Sequence, residues 1–277
     1  MRLTPIALVA AREIREALRS RWFLICAGAF CTLSLGLALL GLAGSQRAGL
    51  AGYDRTTASL LALALLFVPL LGLALGSASL AGELEDGALG LLLAQPLTRL
   101  EVYAGKYAGL FGAIAAAVLL GFGATGLIVG LSAGSDHVGA FLALVGVVLL
   151  LAAASLAMGV ALSAVLRSRA KAAGAAFAAW LVLVYLSDLG SIGLVLAREL
   201  SPEQLFGVAM ANPVQQARVL GMLALTDRLE LLGTVGAFGI DHFGVSGLAA
   251  LLGSTLVFGA LTTLTAGYVG FRRTPVP

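Results

Sequence analysis

Six long apolar stretches constrain this chain more than any other feature; they lie at about 22–44, 58–81, 107–133, 139–166, 172–197 and 245–271. Each has the roughly twenty residues or more that an α-helix needs to cross the hydrocarbon core of a bilayer. The expected fold is therefore all-α, a polytopic membrane protein with six transmembrane helices, and 1–277 reads as a single membrane domain. Composition agrees, with 60% hydrophobic and 11% charged residues and a mean hydropathy of +1.03, against the roughly quarter-charged soluble domain. A net charge of +3 gathers into no basic patch, so no nucleic-acid partner is expected, and membrane lipid is the natural surrounding.

An even number of spans puts both termini on one side, and basic residues mark the cytoplasmic side. Arg2, Arg12, Arg15, Arg19, Arg21, Arg99, Lys106, Arg167, Arg169, Lys171, Arg272 and Arg273 fall on one face, twelve of the seventeen Lys and Arg. Arg47, Arg55, Arg198, Arg218 and Arg228 fall on the other. Both termini and the 82–106 loop are thus expected in the cytoplasm, and the 198–244 segment outside.

Before the first span, residues 1–21 set Ile6, Ala10, Ile14, Ala17 and Leu18 on one helical face, with Arg12, Glu13, Arg15, Glu16 and Arg19 opposite. This predicts an amphipathic interfacial helix, or a cytoplasmic extension of the first span, with Trp22 at the boundary. Charged residues persisting to Arg21 do not resemble a cleavable signal. In the outer segment Asn212 suits an N-cap and Pro213 a first turn, predicting a helix through "NPVQQARVLGMLAL". Asn212, Pro213 and Arg218 are candidates for contact with an extracytoplasmic partner; packing on the membrane surface is the other reading.

Groups with catalytic or ligating chemistry are scarce. The chain has no GxxxxGK[ST], no HExxH and no CxxC, so no nucleotide loop, catalytic residue or strong metal site is evident. Asp-His dipeptides place His137 and His242 on the same outer face, which makes them weak candidates for a metal site and equally solvated loop residues. Cys26 and Cys31, five apart on one helix, point about 140° apart and read as packed thiols. The four methionines are dispersed along the sequence, which gives no thioether relay. Asp188 stands in the outer half of the fifth span, where an acid usually faces a bundle interior or water. It is a candidate for a translocation or conformational path, or a boundary residue bonded to Ser187 or Ser191.

The sharpest local feature is "GELEDGALGLLLAQPLTRLEVYAGK", residues 82–106. Glu83 and Asp86 share a helical face with Glu85 turned away, Gly82 and Gly87 permit breaks, and Pro96 should end a helix near Ala94. Two short helices hinged at "QPL" are predicted, forming either an acidic docking elbow or a solvated turn between spans.

These residues resemble the loop between the second and third spans of ABC type-2 exporter permeases, where E-x-E-x-G-T-L is followed by PxxR and GK. Glu83, Glu85, Gly87, Leu89, Pro96, Arg99, Gly105 and Lys106 match, and Ala88 stands where the family has Thr. "AREIREALRSRWFL", "WLVLVYLSDLGSIGLVLA", "NPVQQARVLGML" and "FRRTPVP" are similar to the permease of the transporter that matures nitrous-oxide reductase. The resemblance implies a non-catalytic membrane subunit of the bacterial inner membrane, acting as a homodimer. Its partners would be a cytoplasmic ABC ATPase dimer, which holds ATP and Mg, and a periplasmic accessory protein, with copper or a sulfur species as cargo. It further implies that Glu83, Glu85, Asp86, Gly87 and Arg99 couple the chain to the ATPase. An exporter permease for a drug, lipid or glycan, an ion-coupled transporter or channel, and a force-transmitting scaffold remain alternatives.

Overall fold

The computed structural model of the chain describes residues 3–48, 51–133, 138–186, 201–225 and 233–273. Every regular element among them is helical: α1 (Leu3–Ala17), α2 (Arg21–Ala48), α3 (Ala51–Glu85), α4 (Ala88–Leu93), α5 (Arg99–Ala133), α6 (Val138–Leu166), α7 (Arg169–Leu181) with a π-helical turn at Val182–Leu186, α8 (Pro202–Met210), α9 (Pro213–Leu225) and α10 (Gly233–Arg272). Six of these carry stretches long and apolar enough to cross a membrane, at Arg21–Gly41, Thr56–Glu85, Arg99–Leu127, Val138–Leu166, Arg169–Leu186 and Val235–Arg272. The expected all-α, six-span architecture is what forms.

The spans divide into an inner and an outer set. In α3, α5 and α6, 44–50% of the most apolar window is buried, against 17–22% in α2, α7 and α10. With no water between helices in a membrane, close approach must come from small residues. A methyl group added at Gly76 of α3 would stand 2.7 Å from the Val160 amide nitrogen of α6, and one at Gly159 would stand 2.7 Å from the Leu73 carbonyl oxygen. That backbone contact makes α3 and α6 the spine of the bundle. Ser163 extends it, its hydroxyl oxygen accepting the Leu80 amide at 3.0 Å and the Ala81 amide at 2.8 Å. Toward the opposite end, tilted ring contacts of Phe30 with Phe67 and Phe122, and of Phe122 with Phe141, fill the core.

Several boundaries differ from expectation for local reasons. The second span continues past Ala81 to Glu85 because the break falls at Gly87, whose φ of 72° favours glycine, and not at Gly82. One short helix, α4, follows and ends at Ala94 as Pro96 requires. The second predicted short helix is the first turn of α5, which starts at Arg99 under a reciprocal cap: Thr98 donates its amide to Glu101 Oε2 at 2.9 Å, and Glu101 donates its amide to Thr98 Oγ1 at 3.2 Å. The outer segment holds more helix than Asn212 alone signals. A capping box between Ser201 and Gln204, with Pro202 in the first turn, starts α8. The sixth span is likewise the continuation of an earlier helical stretch, broken at Gly244 (φ 68°, ψ 169°), a region open essentially to glycine alone.

Candidate functional site

The elbow is positioned by what lies beneath it. Gly105 and Gly109 of α5, four residues apart, let the interfacial helix α1 settle on the bundle: a methyl group at Gly109 would lie 2.5 Å from the Ala10 carbonyl oxygen and 2.6 Å from Glu13 Cβ. The buried stripe of α1 is therefore Val9, Glu13 and Ala17, while Leu18 is 49% exposed. This corrects the predicted amphipathic face, which assigned Glu13 to the polar side. Glu13 turns inward because Lys106, 1% exposed at the head of α5, waits there with its ammonium 2.7 Å from Glu13 Oε1.

Lys106 gathers a second acid. Glu83 Oε2 lies 2.9 Å from its Nζ, and the Ser79 carbonyl oxygen accepts at 3.4 Å. Glu83 Oε1 reaches Arg12 Nη2 at 3.0 Å, and Arg12 Nε closes on Glu16 Oε1 at 2.7 Å. Three carboxylates within 4.8 Å of one another thus share two cations. Burial, with further contributions from Glu83 and Glu16, holds the Glu13 carboxyl above the usual range against the pull of Lys106. The network joins α1, the end of α3 and the start of α5 into one body at the head of two spans.

The other elbow residues separate from Glu83. Glu85 is exposed and accepts the Arg169 amide at 3.0 Å, binding the elbow to the start of α7. Asp86 and Gly87 are exposed at the break. In α4, Leu89 and Leu92 are buried while Leu91 is 76% exposed, an apolar knob on the outermost turn. Arg99 Nη1 donates to the Phe271 carbonyl at 3.0 Å, and its guanidinium lies 5.8 Å from the Phe271 ring centre, so it fastens the end of α10 to the elbow. Of the residues expected to couple, Glu83 and Arg99 face inward and Glu85, Asp86 and Gly87 face out. Glu13 and Arg12 were missed as members. Their signal was the Gly105–Gly109 GxxxG spacing that brackets Lys106, which leaves room for a helix.

At the opposite end, Asn212 caps α9 through Oδ1, which accepts the Val214 amide at 2.9 Å, and donates through Nδ2 to the Leu183 carbonyl at 2.8 Å. The π-helical turn displaces carbonyls from their usual partners, and Asn212 takes one of them. Its side chain is consequently turned inward and buried; Pro213 and Arg218 are half-buried. His242 is exposed, stacked on Phe238 at 4.1 Å between ring centres, with Nδ1 3.1 Å from the Phe238 carbonyl oxygen. Asp188 and His137 lie outside the described residues.

A cavity of about 570 Å³ opens between α6, the end of α7, the α8–α9 junction and α10. Its lining is mostly apolar; Gln216 and Thr255 are polar exceptions, with Thr255 Oγ1 donating to Gln216 Oε1 at 3.2 Å. Met158 and Met210, remote in sequence, both line it. The expected dispersal of the methionines along the chain does not carry over to these two in space.

The model of the ABC-2 family transporter proteins matches residues 7–273. The chain is similar to a protein of Pseudomonas aeruginosa named "Probable ABC transporter permease protein NosY", 33% identical over 274 residues that cover 97% of this chain and 98% of the relative. A Stutzerimonas stutzeri protein of the same name is 32% identical over 273 residues, covering 96% and 97%.

Proposed function

Since the chain belongs to the ABC-2 transporter family, a multi-pass membrane component that associates with an ABC ATPase, we propose that it is the permease of a nitrous-oxide reductase maturation transporter in the bacterial inner membrane. Two copies would work with an ATPase dimer that holds ATP and Mg, and with a periplasmic accessory protein, serving delivery of copper or a sulfur species. Both termini and the elbow face the cytoplasm in this reading, as the basic residues suggest. Similarity to two relatives named NosY over nearly the whole chain supports the maturation role.

The observation that carries the coupling mechanism is Leu91, exposed on the short helix α4, beside an ion network that binds three helices. Leu91 enters an apolar groove of the ATPase, and Glu85 and Asp86 meet basic residues around it. A ligand can shift an equilibrium only through different interaction with its two states. ATP binding on the partner therefore acts by moving the surface that grips α4. Because Glu83 is tied to Lys106, Glu13 and Arg12, the displacement reaches α3, α5 and α1 together and is not absorbed by a loose turn. Asp188 is assigned to the conformational path, and Pro213 and Arg218 to the accessory-protein face.

Leu91→Glu combined with Glu85→Lys and Asp86→Lys is expected to abolish co-purification with the ATPase and stimulation of ATP hydrolysis. Unchanged co-purification and stimulation would sink the coupling assignment. Export of an apolar molecule is a second reading, favoured by the cavity's apolar lining. A null strain that keeps copper-loaded, active reductase would decide for it.

A further inference from the structure

We propose that a second, smaller cavity, at the elbow end between α2, α3 and α7, is a binding site for one anionic phospholipid of the leaflet on that side. It encloses about 260 Å³ and is lined by Trp22, Leu73, Ala74, Ser77, Arg169 and Phe177, among others. Its chemistry changes with depth. Trp22 stands in the first turn of α2 and Arg169 begins α7, so an indole and a guanidinium sit at the boundary level of the two spans. Leu70, Leu73, Ala74 and Phe177 lie farther along their helices and wall the cavity with hydrocarbon. An amphiphile with an anionic head and an acyl chain matches both levels.

Charge decides among the possible occupants. The Arg169 stem lies over Gly82, where an added methyl group would meet its Cδ at 3.9 Å, which holds the guanidinium beside the cavity. Among the described residues no carboxylate lies within 4 Å of that guanidinium; the nearby Glu85 engages the Arg169 amide instead. No acidic side chain lines the cavity. Arg21 and Lys171, next to Trp22 and two residues past Arg169 in the sequence, are exposed and add to the positive charge at this end. A zwitterionic lipid would answer the apolar wall but leave the cation without a net counter-charge. The larger cavity differs here, since no charged residue lines it. The site also touches the elbow's machinery through Arg169, which Glu85 binds by its amide, although the proposal does not depend on how the ATPase docks.

Trp22 supplies the reporter. The full-length protein is reconstituted in nanodiscs containing either brominated phosphatidylglycerol or brominated phosphatidylcholine at equal mole fraction. The quenching that disappears in Trp22→Phe is assigned to Trp22, the other tryptophan being Trp180. Titrating each lipid should give about fivefold tighter quenching by phosphatidylglycerol, the ratio expected for one cation at a membrane surface. Arg169→Gln should remove that preference while leaving quenching by phosphatidylcholine in place, and Ala78→Phe should reduce quenching by both. Equal quenching by the two lipids in the unaltered protein overturns the proposal. So does a preference that survives Arg169→Gln, which would locate it in the general basic belt. Trp22 left unquenched by either lipid would mean that a second copy covers the cavity, and would overturn it too.

Discussion

The two ends of this bundle are held together by different physics. At the elbow end, buried Lys106 pairs with buried Glu13 and with Glu83, and glycine contacts press α1 onto α5. At the other end the buried polar groups among the described residues are neutral, including Asn212 and Gln216, and the helices surround a cavity of about 570 Å³. Ion pairs taken out of water resist being pulled apart, because separation exposes each charge to a medium that cannot solvate it. Neutral hydrogen bonds beside an apolar cavity can exchange partners at far lower cost. One end is built to move as a unit and the other to change shape, which suits a membrane subunit that receives a push at one side.

Removing the central cation should break this contrast most severely. Lys106→Met leaves Glu13 and Glu83 facing each other in a buried site, and a loss of about 3–5 kcal/mol is expected for a buried pair stripped of one partner. Thermal unfolding of the purified protein in detergent measures it. Replacing Glu13, Glu83 and Lys106 together by apolar residues of similar size should restore most of that stability, yet leave ATPase stimulation impaired if the cluster serves transmission. Full recovery of stimulation would reduce the cluster to a packing device.

At the compliant end the same measurement should move less. Asn212→Ala removes a helix cap and the bond to Leu183, and about 1 kcal/mol is expected. A loss as large as that of Lys106→Met would erase the distinction between the ends.

The smallest effect concerns protons. The folded state raises the Glu13 pKa, so it holds that proton more tightly than the unfolded chain does. The stability this contributes is complete below the ordinary carboxylate pKa and is lost as pH rises through the raised value. Glu13→Gln should flatten the pH dependence of α1 docking, read by protease cleavage between Ala17 and Trp22. An unchanged pH profile would assign the dependence to another group.

Legibility in the sequence followed the range of the interaction. The exposed Glu85 and Asp86, the break at Gly87 and the cap at Asn212 were readable because neighbours within a few residues decide them. Glu83 was expected at the elbow but its inward pairing was not, since that depends on Lys106, across the elbow, and on Arg12, seventy-one residues away. The inward turn of Glu13 was invisible for the same reason, because an amphipathic pattern assumes that the charged face meets water. Here it meets Lys106. The Ser201–Gln204 box and the Thr98–Glu101 cap are local signals, since each is decided within four residues.

The sequence by itself determined the number of spans, the helical class and the place of the elbow, because a bilayer obliges every long apolar stretch to satisfy its own backbone as a helix. Tertiary structure alone decided which charges are buried together, which methionines share a cavity, and which acids remain exposed for a partner. Those outcomes depend on where small residues let two helices touch, and in a membrane that contact is settled by shape and pairing across the bundle.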